Sequence, residues 1–395
     1  MKKIGILTHY YNSKNIGGLL QAYALTDFLN RLSYPTQQIC FDYNFFDKKS
    51  RRLWFYFALH RHSFGKLLFL VIKKFFYKLC ISPLEKHKNK RIKPCIEKQN
   101  IIFDNFQYFI PHSPEKYNTL TISKANPNYD IFIIGSDQVF ASYLLPLSAY
   151  YGEFAAADKK VISYAASSDV KVFPQKAENL FKQKLKRLNK ISVREKTLKD
   201  YIERITDKKA DVVLDPTFLL SKQEWLKIAT PIVIPNKKYI FCYFLGGKSA
   251  WQRKAARAYA DKYGYELVHL PYIMQNIRPA DIYLKSQGRY DVGPREFISL
   301  INGAECVFTD SFHGMAFSIN FNKDFYVFNR DDKDDINSMT SRITDTLAMF
   351  GLTDRHITDK NAVLKSKTID YTDTNKILNQ KKEFSVNWLL NALKD

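Results

Sequence analysis

Short apolar runs that stop abruptly at a polar or glycine-bearing turn recur along this chain, and most of them lead into a segment of helical period. The clearest instance is 304–330, AECVFTDSFHGMAFSINFNKDFYVFNR. Residues 306–308 read as a short buried strand, and Thr309, Asp310 and Ser311 as the polar turn that ends it. Phe312-His313-Gly314 comes next, then Met315, Phe317 and Ile319 on the way to a second β-rich run at 325–328. Strand, turn, helix, strand is the repeating unit of an open parallel sheet, and such sheets bind ligands beyond the carboxyl ends of their strands. A polar cluster there, beside a glycine that lets backbone come close, suits an anion. His313 is the side chain in it that changes charge near neutral pH. The plainer alternative is a hydrogen-bonded structural histidine at a helix start.

The same grammar runs through the rest of the chain. Residues 4–8 read as a strand and 12–18, NSKNIGG, as a turn. Leu20, Tyr23, Ala24, Phe28 and Leu32 then fall at helical spacing. A strand, a glycine turn and a helix open a phosphate-binding βα unit, although this turn is neither GxGxxG nor a P-loop. Residues 37–42 make a second strand. The run 129–134 ends in Gly135-Ser136-Asp137-Gln138, 161–163 is a further strand, 181–188 a helix, and 191–193 a strand that ends in Arg194-Glu195-Lys196. Arg194 could fork onto a carboxylate or phosphate; an ion pair with Glu195 or Asp215 is the plainer reading. A strand at 212–214 runs into Asp215-Pro216.

The stretch 230–238, with two prolines and no helical period, reads as a linker. A second set follows: strand 239–244, helix 251–263, strand 266–270, helix 297–302, then the 304–330 unit. Strands alternate with helices in both halves, so the expected class is α/β, with two Rossmann-like doubly wound domains at 1–229 and 230–395 and a cleft between them. A helix over 373–394 is expected to cross back to the first domain.

Charge separates some function classes. The net charge is +22, and residues 47–93 carry 14 Lys and Arg against 2 Asp and Glu, which is more than half of the excess. A nucleic-acid binder would spread that charge over a recognisable reading module, and no helix-turn-helix, RRM or zinc pattern is present. Within the basic region, 51–80 (about 46–100 with its flanks) interleaves aromatic and aliphatic residues with Arg61, Lys66, Lys73, Lys74 and Lys78. Those charges exclude a spanning helix. The segment is expected either to lie on an anionic membrane surface as an amphipathic helix or to pack as a helical insertion on the core or a second copy. The five cysteines form no CxxC pair and the eight histidines no metal pattern, so no metal or cofactor is required and a reducing, cytoplasmic setting is expected.

Several stretches taken together are familiar: NIGGLLQAYAL (15–25), DIFIIGSDQVF (130–140), ISYAASSD (162–169), ISVREK (191–196), VVLDPTFLL (212–220) and GPREFISLINGAECVFTDSFHG (293–314). In this order they resemble the polysaccharide pyruvyl transferase family. The resemblance implies a fold similar to GT-B glycosyltransferases and a reaction in which phosphoenolpyruvate places a pyruvate ketal across two hydroxyls of a sugar. It assigns the donor site to Arg194, in SVREK, and His313, in SFHG, with Lys196, Ser311 and Gly314 beside them. Many relatives carry a basic residue just before that histidine, as in R-x-H-G. Here Ser311 and Phe312 stand in its place, and Lys196, Arg330 and Arg342 are candidates to supply the charge.

The chemistry implied by that resemblance needs an acid to protonate C3 of the enol, for which His313 is the expectation, and an acceptor for the sugar hydroxyl proton, for which Asp137 and Asp310 are both candidates. Bidentate Arg194 is expected to orient the donor. Backbone N–H groups at Gly17, Gly18 and Gly314 are expected to meet anionic oxygens, and Asn15, Gly17, Gly18, Ser136, Asp137 and Gln138 to meet the acceptor. The acceptor is expected to be a saccharide, with a lipid-linked one suggested by the basic segment. A homo-oligomer is left open. The competing readings are a nucleotide-sugar glycosyltransferase on the same fold and a non-catalytic scaffold.

Overall fold

The computed structural model describes residues 2–43, 82–169, 171–232, 234, 238–247, 250–272, 279–286, 288–330, 340–365 and 368–394, with backbone alone at 82–92 and 279. The basic aromatic segment 51–80 therefore lies outside the described residues, as does part of the 230–238 stretch.

The first sheet is all parallel, in the order β3-β2-β1-β4-β5-β6-β7. It comprises β1 (Ile4–Leu7), β2 (Thr36–Phe41), β3 (His112–Tyr117), β4 (Ile131–Ile134), β5 (Lys160–Ala166), β6 (Lys190–Val193) and β7 (Ala210–Val212). The second, also parallel, runs β12-β11-β10-β8-β9, built from β8 (Tyr239–Tyr243), β9 (Glu266–His269), β10 (Cys306–Thr309), β11 (Asp324–Phe328) and β12 (His356–Ile357). Both are α/β sheets of the Rossmann type. The central strands are buried on both faces, which is why β4, IFII, and β10, CVFT, read as continuous apolar runs rather than alternating ones. Strand order reverses between β1 and β4 and again between β8 and β10. Crevices open at the carboxyl ends of such pairs.

Helices α1 (Ile16–Arg31), α2 (Ser82–Phe109), α3 (Gln175–Leu185), α4 (Lys196–Ile205) and α5 (Lys222–Ile228) accompany the first sheet. Helices α6 (Ala250–Tyr263), α7 (Pro294–Gly303), α8 (Phe312–Asn320) and α9 (Ser341–Phe350) accompany the second. Helix α3 begins six residues before the sequence reading placed it. Its first turns are mostly polar and solvent-facing, so apolar spacing shows only near its end.

The two sheets share one core. Leu19, Leu20 and Tyr23 of α1 pack with Phe297 and Ile301 of α7 and with Phe312, Met315 and Phe317 of α8. Helix α10 (Thr372–Lys394) joins the halves again. Near its start, Thr374 Oγ1 donates to the Phe350 carbonyl at 3.2 Å. Near its end, Leu389, Ala392 and Leu393 pack against Ile4 and Ile131 of the first sheet, and Trp388 Nε1 donates to Asp211 at 2.8 Å. Among the described residues no helix is long and apolar enough to cross a membrane.

Candidate functional site

The polar residues that interrupt the strands collect where the two sheets face each other. Asp215, just beyond β7, is the hub. Thr217 N and Oγ1 donate to its Oδ1 at 3.0 and 2.7 Å. Arg194 Nη1 donates to Oδ2 at 2.9 Å, and Ser136 Oγ lies 3.1 Å from the same oxygen. Burial alone would raise this carboxyl, but the His313 imidazole, Arg194 and the Thr217 donors outweigh it and hold it below the usual range.

Arg194 is 3% exposed. Burial works against its charge, and the carboxylates of Glu195, Asp215 and Asp137 more than compensate. Its Nε donates to Glu195 at 3.1 Å, and its plane lies 3.9 Å from the centre of the Phe312 ring. Two faces of the fork are thus occupied by protein. Nη2 has no hydrogen-bond partner and stands 3.8 Å from Asp137 Oδ1. The guanidinium therefore offers a ligand one edge rather than the bidentate fork expected from the sequence.

His313 sits in the first turn of α8. Its Nε2 lies 3.8 Å from Asp215 Oδ2 and has no hydrogen-bond partner. Burial lowers its pKa below 6.5 despite Asp215 and Asp137, and Arg194 and Arg342 push the same way, so the ring is neutral at pH 7 and this separation is not a charged bridge. On its other edge the ring meets α1: a Cβ added to Gly17 would fall 2.0 Å from His313 Nδ1. Gly17 is thus a glycine because the imidazole occupies the space a side chain would need.

Asp137 follows β4 in a left-handed conformation, φ 63°, sparsely populated by non-glycine residues. Its carbonyl accepts from Ser167 N at 2.9 Å and Val139 N at 2.8 Å, which fixes the turn. The carboxyl, 5% exposed with its residue, is raised by burial but held below its ordinary value by His313, Arg194, His9 and Arg342. Glu195 differs. Burial raises it and prevails over Arg194 and over Ser167, whose Oγ donates to it at 2.6 Å.

The guanidinium that the sequence left unassigned comes from α9. Arg342 is 6% exposed, and burial together with Arg330 and Arg194 pushes its pKa down to about 9. Asp345, one turn further along α9, accepts Thr197 N and Oγ1 at 2.8 Å each, pinning α9 to the start of α4 next to Arg194. Arg330, half-buried, and the buried Arg194 both lie within electrostatic reach of Arg342, a concentration of positive charge whose chemistry suits an anion.

Other expected residues fall elsewhere. Lys196 opens α4 on its exposed side and pairs with Asp200 rather than entering the cluster. Asp310 accepts Leu245 N at 2.6 Å and Gly246 N at 2.7 Å, one on each oxygen, which ties β10 to the turn after β8 and leaves it a structural carboxylate. Gly18 N and Gly314 N are taken by the helix caps, donating to Asn15 Oδ1 at 3.3 Å and Ser311 Oγ at 3.4 Å, so neither is aimed at a ligand. Asn15 and Ser311 act as those caps, and Ser136 braces Asp215. Gln138 accepts from His9 Nε2 at 3.2 Å through its carbonyl. Asp215 and His9 were missed as site residues, and Arg342 was named only as one of three candidates for the extra charge. The signal for Asp215 was its place after an apolar run and before a proline. Nothing local marked His9.

Comparison with known proteins agrees with this architecture. UDP-GlcNAc 2-epimerase from Neisseria meningitidis, solved with UDP-GlcNAc bound, is similar at 12% identity over 99% of this chain and 100% of that one, with a TM-score of 0.51. UDP-GlcNAc 2-epimerase from Methanocaldococcus jannaschii is similar at 12% identity over 96% and 99%, also with a TM-score of 0.51. At such identity the likeness is one of fold. No curated protein sequence matches significantly. The family description "Polysaccharide pyruvyl transferase" matches residues 15–332, a span that holds Arg194, Asp215 and His313, and the chain belongs to the polysaccharide pyruvyl transferase family.

Proposed function

We propose that this chain transfers pyruvate from phosphoenolpyruvate to a saccharide as a ketal bridging two hydroxyls. The observation that carries the reading is the convergence of His313 and Arg194 on Asp215, with Arg342 buried beside them. Phosphoenolpyruvate is small and carries a carboxylate and a phosphate. Arg342 with Arg330 takes one anionic group and the open Nη2 edge of Arg194 the other.

Burial and the two neighbouring arginines keep His313 neutral. A bound phosphate dianion next to it reverses the balance, raises its pKa and converts it to the acid that protonates C3. C2 then accepts the first sugar oxygen, phosphate leaves, and the second oxygen closes the ketal. The balance is complete: of the two hydroxyl protons, one replaces the proton His313 gave to C3 and the other departs with phosphate. Asp137, ionised and close to both Arg194 and His9, is the carboxylate that receives a hydroxyl proton.

The test is phosphate release from phosphoenolpyruvate in the presence of saccharide diols, with the product checked for a ketal by mass and carbon NMR. His313→Ala and Arg194→Lys, which keeps a cation beside Glu195 and Asp215, are expected to abolish release while the fold persists. Release of a nucleotide from a nucleotide sugar, with phosphoenolpyruvate left intact, would establish the glycosyltransferase alternative instead.

A further inference from the structure

Asp137 has a second neighbourhood, and it is aromatic rather than cationic. His9, at the end of β1, lies with its ring centre 5.3 Å from that of Tyr43, edge-on, and 5.0 Å from that of Tyr150. Tyr143 belongs to the 3-10 turn Ser142–Leu144. Asp169 pins that turn by accepting Ser142 N at 2.6 Å and Ser142 Oγ at 2.9 Å. Tyr143 nevertheless stays 41% exposed. Burial of the phenol and the carboxylates of Asp137 and Asp169 keep it protonated, with Tyr43 and Arg342 also within electrostatic reach. From the second sheet, Tyr272, just past β9, comes close enough to Tyr43 to influence its ionisation. Gln138, whose backbone carbonyl meets His9, has its side-chain amide nitrogen buried without a hydrogen-bond partner.

We propose that Tyr43, Tyr143, His9 and Gln138 form the saccharide subsite, with a pyranose ring lying against Tyr143 and its hydroxyls meeting Asp137 and the Gln138 amide. A pyranose has an apolar C–H face and a polar rim. Rigid aromatic surface next to an unpaired amide donor and an ionised carboxylate matches both. The pinned turn means the platform is already in place before the ligand arrives, which limits the ordering cost of binding. The placement also gives the transfer its geometry, because Asp137 is shared between this subsite and the Arg194 edge 3.8 Å away. The identity of this saccharide as the pyruvyl acceptor rests on the function proposed above; binding of a pyranose does not.

The experiment uses the full chain and a panel of methyl glucosides, galactosides and mannosides with their N-acetyl counterparts, read by saturation-transfer NMR and titration. Wild type is expected to saturate the ring C–H protons of at least one glycoside. Tyr143→Ala should weaken that binding by about tenfold, the loss of one aromatic stacking contact, with affinity for phosphoenolpyruvate unchanged. Arg342→Gln should do the reverse. Thermal midpoints confirm that each variant folds. No binding by any glycoside, equal binding by Tyr143→Ala, or Tyr143-dependent binding of uridine diphosphate with no glycoside bound would overturn the proposal. If glycosides bind through Tyr143 but phosphoenolpyruvate is not consumed, the subsite stands and the pyruvyl reading fails.

Discussion

Arg194 and His313, from different sheets, meet on one atom: Oδ2 of Asp215 lies 2.9 Å from Arg194 Nη1 and 3.8 Å from His313 Nε2. Asp215→Asn keeps the shape of that atom and removes its charge. It removes the closest of the carboxylates that compensate the buried Arg194 guanidinium, which is expected to cost up to about 3–5 kcal/mol of stability. Urea denaturation measures this, and pyruvyl transfer should fall below detection even at temperatures where the variant is folded.

Gly17→Ala is the smallest change with a large expected effect. The added methyl would overlap His313 Nδ1, so the imidazole must move by about 1 Å or more, which is enough to cost about a hundredfold in rate. Phosphate release against the thermal midpoint separates this from unfolding: turnover should drop far more than stability.

Donor binding should take up a proton. His313 is neutral because burial lowers its pKa, and a dianion beside it raises that pKa. Calorimetry at pH about 7.5, in buffers of different ionisation enthalpy, should show proton uptake on binding phosphoenolpyruvate. His313→Gln should abolish the uptake.

Acid should destabilise the fold in a defined window. His9, His269 and His313 are lowered from 6.5 by burial. As pH falls through 6.5 the unfolded chain binds protons that the folded chain does not, so folding stability declines. Asp137 and Asp215, held below 3.8, act in the same direction at lower pH; their contribution is present above 3.8 and disappears as pH falls through their folded values. The urea midpoint should decrease from about pH 7 to about pH 5.5, and His313→Gln should shallow that slope.

Arg342→Gln removes one cation from the anion receptor. Affinity for phosphoenolpyruvate should fall by about tenfold to a hundredfold, the scale of a charged hydrogen bond. The His313 imidazole, no longer opposed by that charge, should titrate higher than in wild type, which proton NMR of the ring can follow.

The sheets were legible because strands buried on both faces must be apolar throughout, and the turns that end them were legible because polar residues are excluded from such strands. Arg194 and His313 stood at those ends and could be named. Direction was harder to read than position. Lys196 is two residues beyond Arg194, yet it begins a helix and faces solvent. Asp310 ends its strand as Asp137 does, but the neighbouring turn uses both of its oxygens. Arg342 owes its place to the contact between Asp345 and Thr197, 148 residues apart in sequence, and no local pattern announces a contact of that kind. Asp215 was first read as a plain ion-pair partner because its burial, not its identity, is what makes it the hub.

Helix α10 reaches from the Phe350 carbonyl of one half to Ile4 and Ile131 of the other. Pulling the halves apart would strip Leu389, Ala392 and Leu393 into water, so the helix acts as a clamp across the two sheets. Removing residues 372–394 should therefore loosen a pocket to which they contribute no side chain.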